Sequence, residues 1–231
     1  MRTFLQSWIN SGPLPQAFIF DLDGTLYSQT KLRLFMVLEM GKVLLRSPSR
    51  AADLKIVWNF RKIRGKNREL ATWNLEEEQY NWGAKASDVS PHSVRQVVQE
   101  WMYDRPLPYL ARCRYRGVKE LFALLRDKGI GVGIFSDYPA HAKLEALGLD
   151  SDVVVTATRK EVNRLKPHPK GLLLTAAELH TPIKACLFIG DQDGKDGECA
   201  RRAGMPYIIL SSRNRERQFD QIMEWVKTCS G

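Results

Sequence analysis

The sequence predicts an α/β fold, a mostly parallel sheet covered by helices on both faces and opened after its first strand by an all-helical insertion. Three observations carry this. Residues 17–23 are an apolar run rich in Phe and Ile that ends in acids and Gly24, the texture of a strand buried on both faces. From about residue 113 onward, strand-like runs and helical stretches alternate, which is how a parallel sheet with crossover helices reads. Between these regions, helical periodicity dominates and no strand-like run occurs. The expected division is a Rossmann-like core of residues 1–27 and 112–231 and a helical cap of 28–111.

Each element has its own signal. In the insertion, Leu34, Val37, Leu38, Gly41, Leu44 and Leu45 recur at helical spacing. Trp58, Trp73, Trp82 and Trp101 lie on further helical stretches and are expected to be mainly core. Ser90 with Pro91 reads as an N-cap followed by a first-turn proline. After "RPLPYLARCRYRG" comes the amphipathic helix "VKELFALLRDKG", closed by Gly129. Then follow the strand "IGVGIFSD", the helix "HAKLEALGL", the strand "DVVVTA", the helix "PKGLLLTAAELH", the strand "ACLFIGD", the helix "GECARRAG" and the strand "PYIIL". The order is that of a Rossmann-like sheet. The glycines of "GIGVGIF" open a strand with the spacing GxGxG, so they do not form a dinucleotide fingerprint.

Composition narrows the class. The chain has 231 residues, 44% hydrophobic and 26% charged, as in globular proteins, and no apolar run long enough for a transmembrane helix. The first 16 residues carry one basic residue and lack a small-residue cleavage site, so no secretory signal is expected. Cys113, Cys186, Cys199 and Cys229 are widely spread and form no metal or disulfide pattern. Reduced thiols and a cytoplasmic location are the expectation. The net charge is +9, and Lys31 to Arg116 holds 17 Lys and Arg against 9 Asp and Glu, an excess of +8. The densest run is "RKIRGKNR", Arg61 to Arg68. A solvated helix face is the plain reading of it, and attraction of an anionic substrate or RNA is the sharper one.

In doubly wound sheets, function gathers at the carboxyl ends of the strands. Those ends carry Asp21 and Asp23, then Ser136 and Asp137, then Asp191, Asp193 and Asp196, with Lys166 in the loop "RLKPHP". Several close carboxylates raise one another's pKa. A hard cation relieves that repulsion, and Mg²⁺ typically binds through one or two carboxylates and substrate phosphate oxygens. An acid as nucleophile, a second acid as proton donor, a lysine and a hydroxyl suit phosphoryl transfer. His168 between two prolines reads as a loop residue, and Cys199 on the following helix as packing.

Four ordered motifs, "DLDGT" at 21–25, "FSD" at 135–137, "KPHP" at 166–169 and "GDQDGKD" at 190–196, give the chain a resemblance to the haloacid dehalogenase-like hydrolase superfamily, in particular its capped phosphatases of the phosphoglycolate phosphatase type. The resemblance covers roughly 17–27 and 113–210 and touches the insertion only in position and helical character. It implies that Asp21 is the nucleophile and that Asp23 protonates the leaving alkoxide and then activates water. It also implies that Lys166 steadies the charge of Asp21 and binds phosphoryl oxygens. Ser136, Asp137 and Thr25 are assigned to the substrate, with Gly24 and Thr25 shaping the turn. Mg²⁺ would be held by Asp21, Asp23 (through its backbone carbonyl), Asp191 and Asp196, and Asp193 is read as a solvated loop acid. Dehalogenating members lack an acid at the position of Asp23, because a halide leaves without a proton.

The leading expectation is a Mg²⁺-dependent phosphatase of a small phosphorylated metabolite, acting through an aspartyl-phosphate, as monomer or homodimer and without a membrane partner. The alternatives are a phosphomutase of the same superfamily, and a polyanion or RNA-binding role for the basic cap. A nucleic-acid partner is disfavoured and left open.

Overall fold

A computed structural model describes residues 14–229; the N-terminal stretch read above for a secretory signal lies almost wholly outside the described residues. Strands β1 (Ala17–Phe20), β2 (Gly131–Ser136), β3 (Val153–Thr156), β4 (Cys186–Gly190) and β5 (Tyr207–Ile209) form one sheet in the order β3-β2-β1-β4-β5. Every neighbouring pair is parallel. The helices between β1 and β2 are α1 (Gln29–Arg46), α2 (Ala51–Lys66), α3 (Leu75–Ser87), α4 (Pro91–Val98), α5 (Leu107–Cys113) and α6 (Val118–Asp127). After β2 come α7 (His141–Leu147), α8 (Lys170–Glu178), α9 (Glu198–Ala203) and α10 (Arg215–Thr228).

Alternation along the strands divides the core into two layers. Phe18 and Phe20 of β1 pack with Leu187 and Ile189 of β4 against Phe122, Phe219 and Trp225 of α6 and α10. Ala17 and Ile19 turn the other way and pack with Phe135 and Phe188 against Leu172, Ala176 and Cys199 of α8 and α9. Each of the large side chains buried here contributes about 1.5–3 kcal/mol, so the strand ends that carry the acids are anchored from both faces.

The strand expected over 17–23 stops at Phe20, although the Asp21 amide still donates to the Ile189 carbonyl at 2.9 Å. Gly24, with φ +100°, then turns the chain away. Ser90 caps α4 as expected, its Oγ accepting from the Ser93 amide at 3.1 Å.

Helices α2, α3 and α4 share a small core of Ile56, Phe60, Tyr80, Val94 and Val98, and Tyr138 from the loop after β2 packs against it. At the base of the helical segment, Tyr27 and Arg114 form an antiparallel bridge. The apolar stripe of α1 behaves differently from expectation. Leu34, Val37, Leu38 and Leu45 are 56–89% exposed, and Met40 is the buried residue of this helix. The tryptophans split as well: Trp101 is buried with its Nε1 donating to Asp53 at 2.9 Å, whereas Trp58 and Trp73 lie on the surface. Periodicity reports which residues share a face, and here that face does not meet the core.

Among the described residues, no helix is long and apolar enough to cross a membrane.

Candidate active site

Three strand ends and one loop bring their polar residues to a single volume. Asp21, one residue beyond β1, is buried and is held from two sides. Its Oδ1 accepts from Lys166 Nζ at 2.6 Å and its Oδ2 from Thr25 Oγ1 at 2.8 Å. Lys166 Nζ also donates to Asp196 Oδ1 at 2.9 Å, and the ammonium lies 5.0 and 5.2 Å from the ring centres of Phe135 and Phe188. Burial alone would lower the Lys166 pKa, but Asp196, Asp21 and Asp137 together hold it well above the ordinary lysine range. Lys166 therefore stays charged.

One ammonium does not balance the acids around it. The carboxylate oxygens of Asp21, Asp191 and Asp196 lie within 4.8 Å of one another. Burial pushes the Asp21 carboxyl up to about 8, with Asp196 and Asp191 adding to the rise and Lys166 opposing it. Asp191 is raised too, by burial and then by Asp196, against Arg215 at 3.7 Å. This surplus of close, hard oxygen donors is what a divalent cation relieves, so the residues present fit such an ion. Asp196 has a second duty. Its Oδ2 accepts from the backbone amides of Asp191 and Gln192 at 3.1 and 3.0 Å, which fixes the loop that presents Asp191.

Two glycines make these approaches feasible. A Cβ on Gly24 would sit 2.6 Å from Asp191 Oδ2, and one on Gly190 would sit 2.4 Å from the Cβ of Asp196. At Gly24 the positive φ adds a conformational reason.

Asp23 points elsewhere. Its carboxylate is bound bidentately by Lys143 Nζ at 2.6 and 2.9 Å and accepts a short hydrogen bond from the Tyr27 hydroxyl. Burial favours the neutral form, but the charge and hydrogen bonds of Lys143, joined by Tyr27, outweigh it and hold the carboxyl below its ordinary pKa. The structure thus presents Asp23 ionised. Its side chain is outside the three-acid cluster, and its backbone carbonyl accepts from Gln29 Nε2 at 2.6 Å.

The other expected residues are placed as follows. Ser136 is fully buried at the end of β2, and its Oγ accepts from the Tyr138 amide at 3.1 Å. Asp137 accepts from the Lys166 backbone amide at 3.0 Å, so it fastens the lysine loop. Thr25 bonds the candidate nucleophile itself. Asp193 is a surface acid paired with Arg201 at 2.9 Å, outside the cluster. His168 accepts from the Lys170 amide at 3.2 Å, and burial pushes the Cys199 thiol up to about 12, so neither is poised for chemistry.

Sequence reasoning missed Lys143, Tyr27, Gln29 and Arg64. Lys143 looks like any lysine of an amphipathic helix; only the fold puts α7 beside β1. Arg64 lay within the basic run, yet it is buried, donating to Gln79 Oε1 at 2.9 Å and to the Asp137 carbonyl, and stacked 4.2 Å from the ring centre of Tyr138. Arg33, Arg61, Arg64, Arg68 and Lys195 line a chamber of about 340 Å³ that Asp137 also borders. Part of the positive charge of the inserted helices therefore faces the site.

The chain matches the family described as haloacid dehalogenase-like hydrolase over residues 15–204. A phosphoglycolate phosphatase of Shigella dysenteriae is 27% identical over 202 residues, covering 83% of this chain and 79% of that protein. Among solved structures, a β-phosphoglucomutase of Clostridium difficile aligns with a TM-score of 0.61 at 18% identity, over 93% of this chain and 98% of that one. A HAD phosphatase of Thermococcus onnurineus aligns with a TM-score of 0.55 at 24% identity, over 86% and 87% respectively. With the fold, the ordered motifs and the family match in agreement, the chain belongs to the haloacid dehalogenase-like hydrolases.

Proposed function

We propose that this protein is a Mg²⁺-dependent phosphatase that hydrolyses an organic phosphate monoester through an aspartyl-phosphate at Asp21. The observation that carries the reading is the pair of differently held carboxylates on one turn. Asp21 is steadied by Lys166 and Thr25, and Asp23 is set two residues on with its own cation, Lys143. One oxygen of Asp21 forms a bond to phosphorus as the bond to the leaving alkoxide breaks; Asp23, ionised at rest, takes up the proton of the monoanionic ester and passes it to the alkoxide. In the second step water attacks the same phosphorus, Asp23 takes the water's proton, and Asp21 and inorganic phosphate are released. Lys143 and Tyr27 favour the ionised form of Asp23, the form that accepts this proton.

Asp21, Asp191 and Asp196 would hold the cation. When bound it supplies positive charge that keeps Asp21 ionised and offsets the charge of the phosphoryl oxygens. Lys166, Ser136 and the arginines of the chamber orient the phosphoryl group.

Within this reading the helical segment 28–111 forms a cap over the strand ends and sets specificity. The named phosphatase relative supports a monoesterase, and so does the acid at position 23, since expelling an alkoxide needs a proton. The inward-facing Arg64 and its neighbours favour an anionic substrate over RNA. The test is a screen of phosphorylated metabolites with and without Mg²⁺, beside Asp21→Asn. Activity that needs both the cation and Asp21 is expected, and full activity in the variant would overturn the assignment.

A further inference from the structure

We infer that the alcohol half of the substrate is a flexible hydrocarbon, so that the natural ester is a monophosphate of an alkyl or prenyl-type alcohol. This rests on the phosphatase reading above and adds the leaving group to it.

The candidate proton donor opens onto a groove of about 620 Å³ between α1, α2 and the segment 101–106, within the size range of sites that bury a whole small ligand. Its polar end borders the site through Asp23, two residues from Asp21, and carries Lys143, Gln29, Arg33 and Arg61. Gln29, Arg33 and Arg61 also border the cationic chamber. Away from that end, the lining that α1 and α2 supply is hydrocarbon and thioether: Met36, Met40, Leu44, Leu54 and Val57.

Helix α1 gives the groove its direction. Gln29, Leu32, Arg33, Met36, Val37, Met40, Gly41 and Leu44 all line it, spaced as one face of a helix. At 1.5 Å per residue, that face runs roughly 22 Å from the site to Leu44. Of the stripe that the sequence displayed, Val37, Gly41 and Leu44 lie on this face, whereas Leu34, Leu38 and Leu45 lie outside the groove. An apolar face left open beside a catalytic centre marks a binding surface, and methionines suit a flexible, unbranched guest. Of the α1 residues that line the groove beyond the polar end, Met36, Val37, Met40, Gly41 and Leu44, none carries a hydrogen-bonding side chain to match sugar hydroxyls or a carboxylate. The charge distribution fits one kind of molecule, an anionic head at Asp21 with an apolar tail along α1.

The test is a homologous series, ethyl, butyl, hexyl and octyl phosphate, assayed for kcat/KM with Mg²⁺ below micelle-forming concentrations, in wild type and in Asp21→Asn. Burying a methylene is worth about 0.8 kcal/mol, so kcat/KM should climb with chain length by up to about fourfold per methylene. A rise of at least about tenfold from ethyl to octyl phosphate is expected. Gly41→Phe supplies a second reading. A Cβ at Gly41, which lines the groove, meets nothing within 4 Å, so a side chain is accommodated there, and a ring that narrows the groove should lower the octyl-to-ethyl ratio. A flat or falling series with turnover abolished in Asp21→Asn overturns this inference and leaves the phosphatase reading standing. An unchanged ratio in Gly41→Phe removes the groove as its seat. Absence of Asp21-dependent turnover of every phosphate monoester tried overturns both.

Discussion

Replacing Lys166 by Met removes the ammonium between Asp21 and Asp196 while leaving an unbranched side chain against Phe135 and Phe188. Deleting one partner of a buried ion pair typically costs about 3–5 kcal/mol, because the charge left behind has no compensation. Two features place this site at the lower end. Asp21, with its carboxyl pushed up to about 8, holds a proton at neutral pH when no cation is present. Asp196 keeps the two backbone amides at 3.1 and 3.0 Å. A loss of about 3 kcal/mol should lower Tm by about 6–12 °C in a chain of this size. The assay is thermal unfolding followed by circular dichroism at pH 7, first in EDTA and then in Mg²⁺. The cation should recover part of the loss, because it neutralises the same acids. A shift below about 2 °C in EDTA, which corresponds to under 1 kcal/mol, would refute the claim that Lys166 balances buried charge.

Three further outcomes follow from the same geometry. Asp23→Asn should lower kcat/KM for an alkyl phosphate by about 100-fold or more, in the range of general acid catalysis, and much less for p-nitrophenyl phosphate, whose leaving group needs no proton; equal losses on the two esters would contradict a proton donor. Lys143 favours the ionised form of Asp23, so in Lys143→Met the carboxyl should keep its proton to higher pH, and the limb of the kcat/KM profile that reports Asp23 should move upward; an unmoved limb would remove Lys143 from this role. In EDTA, the protonated Asp21 that the fold favours stabilises fully below the free-acid value of 3.8, and this contribution is lost as pH rises through about 8. Protons and cation compete for Asp21, so isothermal titration should show Mg²⁺ affinity tightening by up to about tenfold per pH unit between pH 6 and 8 and levelling above; affinity independent of pH over that window would mean that Asp21 is not a ligand.

Much of the fold and part of the site were legible because both rest on local pattern. Buried parallel strands read as apolar runs, and their carboxyl ends are where the topology gathers side chains, so Asp21, Lys166, Asp191 and Asp196 could be picked out from positions far apart in the chain. The partners that tune them were not legible. Lys143 meets Asp23 across 120 positions of sequence and Arg64 meets the Asp137 carbonyl across 73, and nothing local marks either residue. Asp196 was read only as a metal ligand, whereas the loop geometry gives it two backbone amides as well. The stripe on α1 was read as periodicity, and periodicity does not say whether a face meets a core, a partner or a ligand. The tryptophans failed for the same reason, since Trp58 and Trp101 have equal propensity for burial and only packing separates them.

The central claim is that phosphorus is attacked by Asp21. The direct measurement is acid quench of the protein during turnover of a phosphate monoester, followed by borohydride reduction and peptide mass spectrometry. The account predicts that one phosphoryl group is trapped on the protein, that it is labile to hydroxylamine, and that reduction converts residue 21 and no other acid to homoserine. Turnover with residue 21 unmodified, or phosphate trapped on a different side chain, would contradict it.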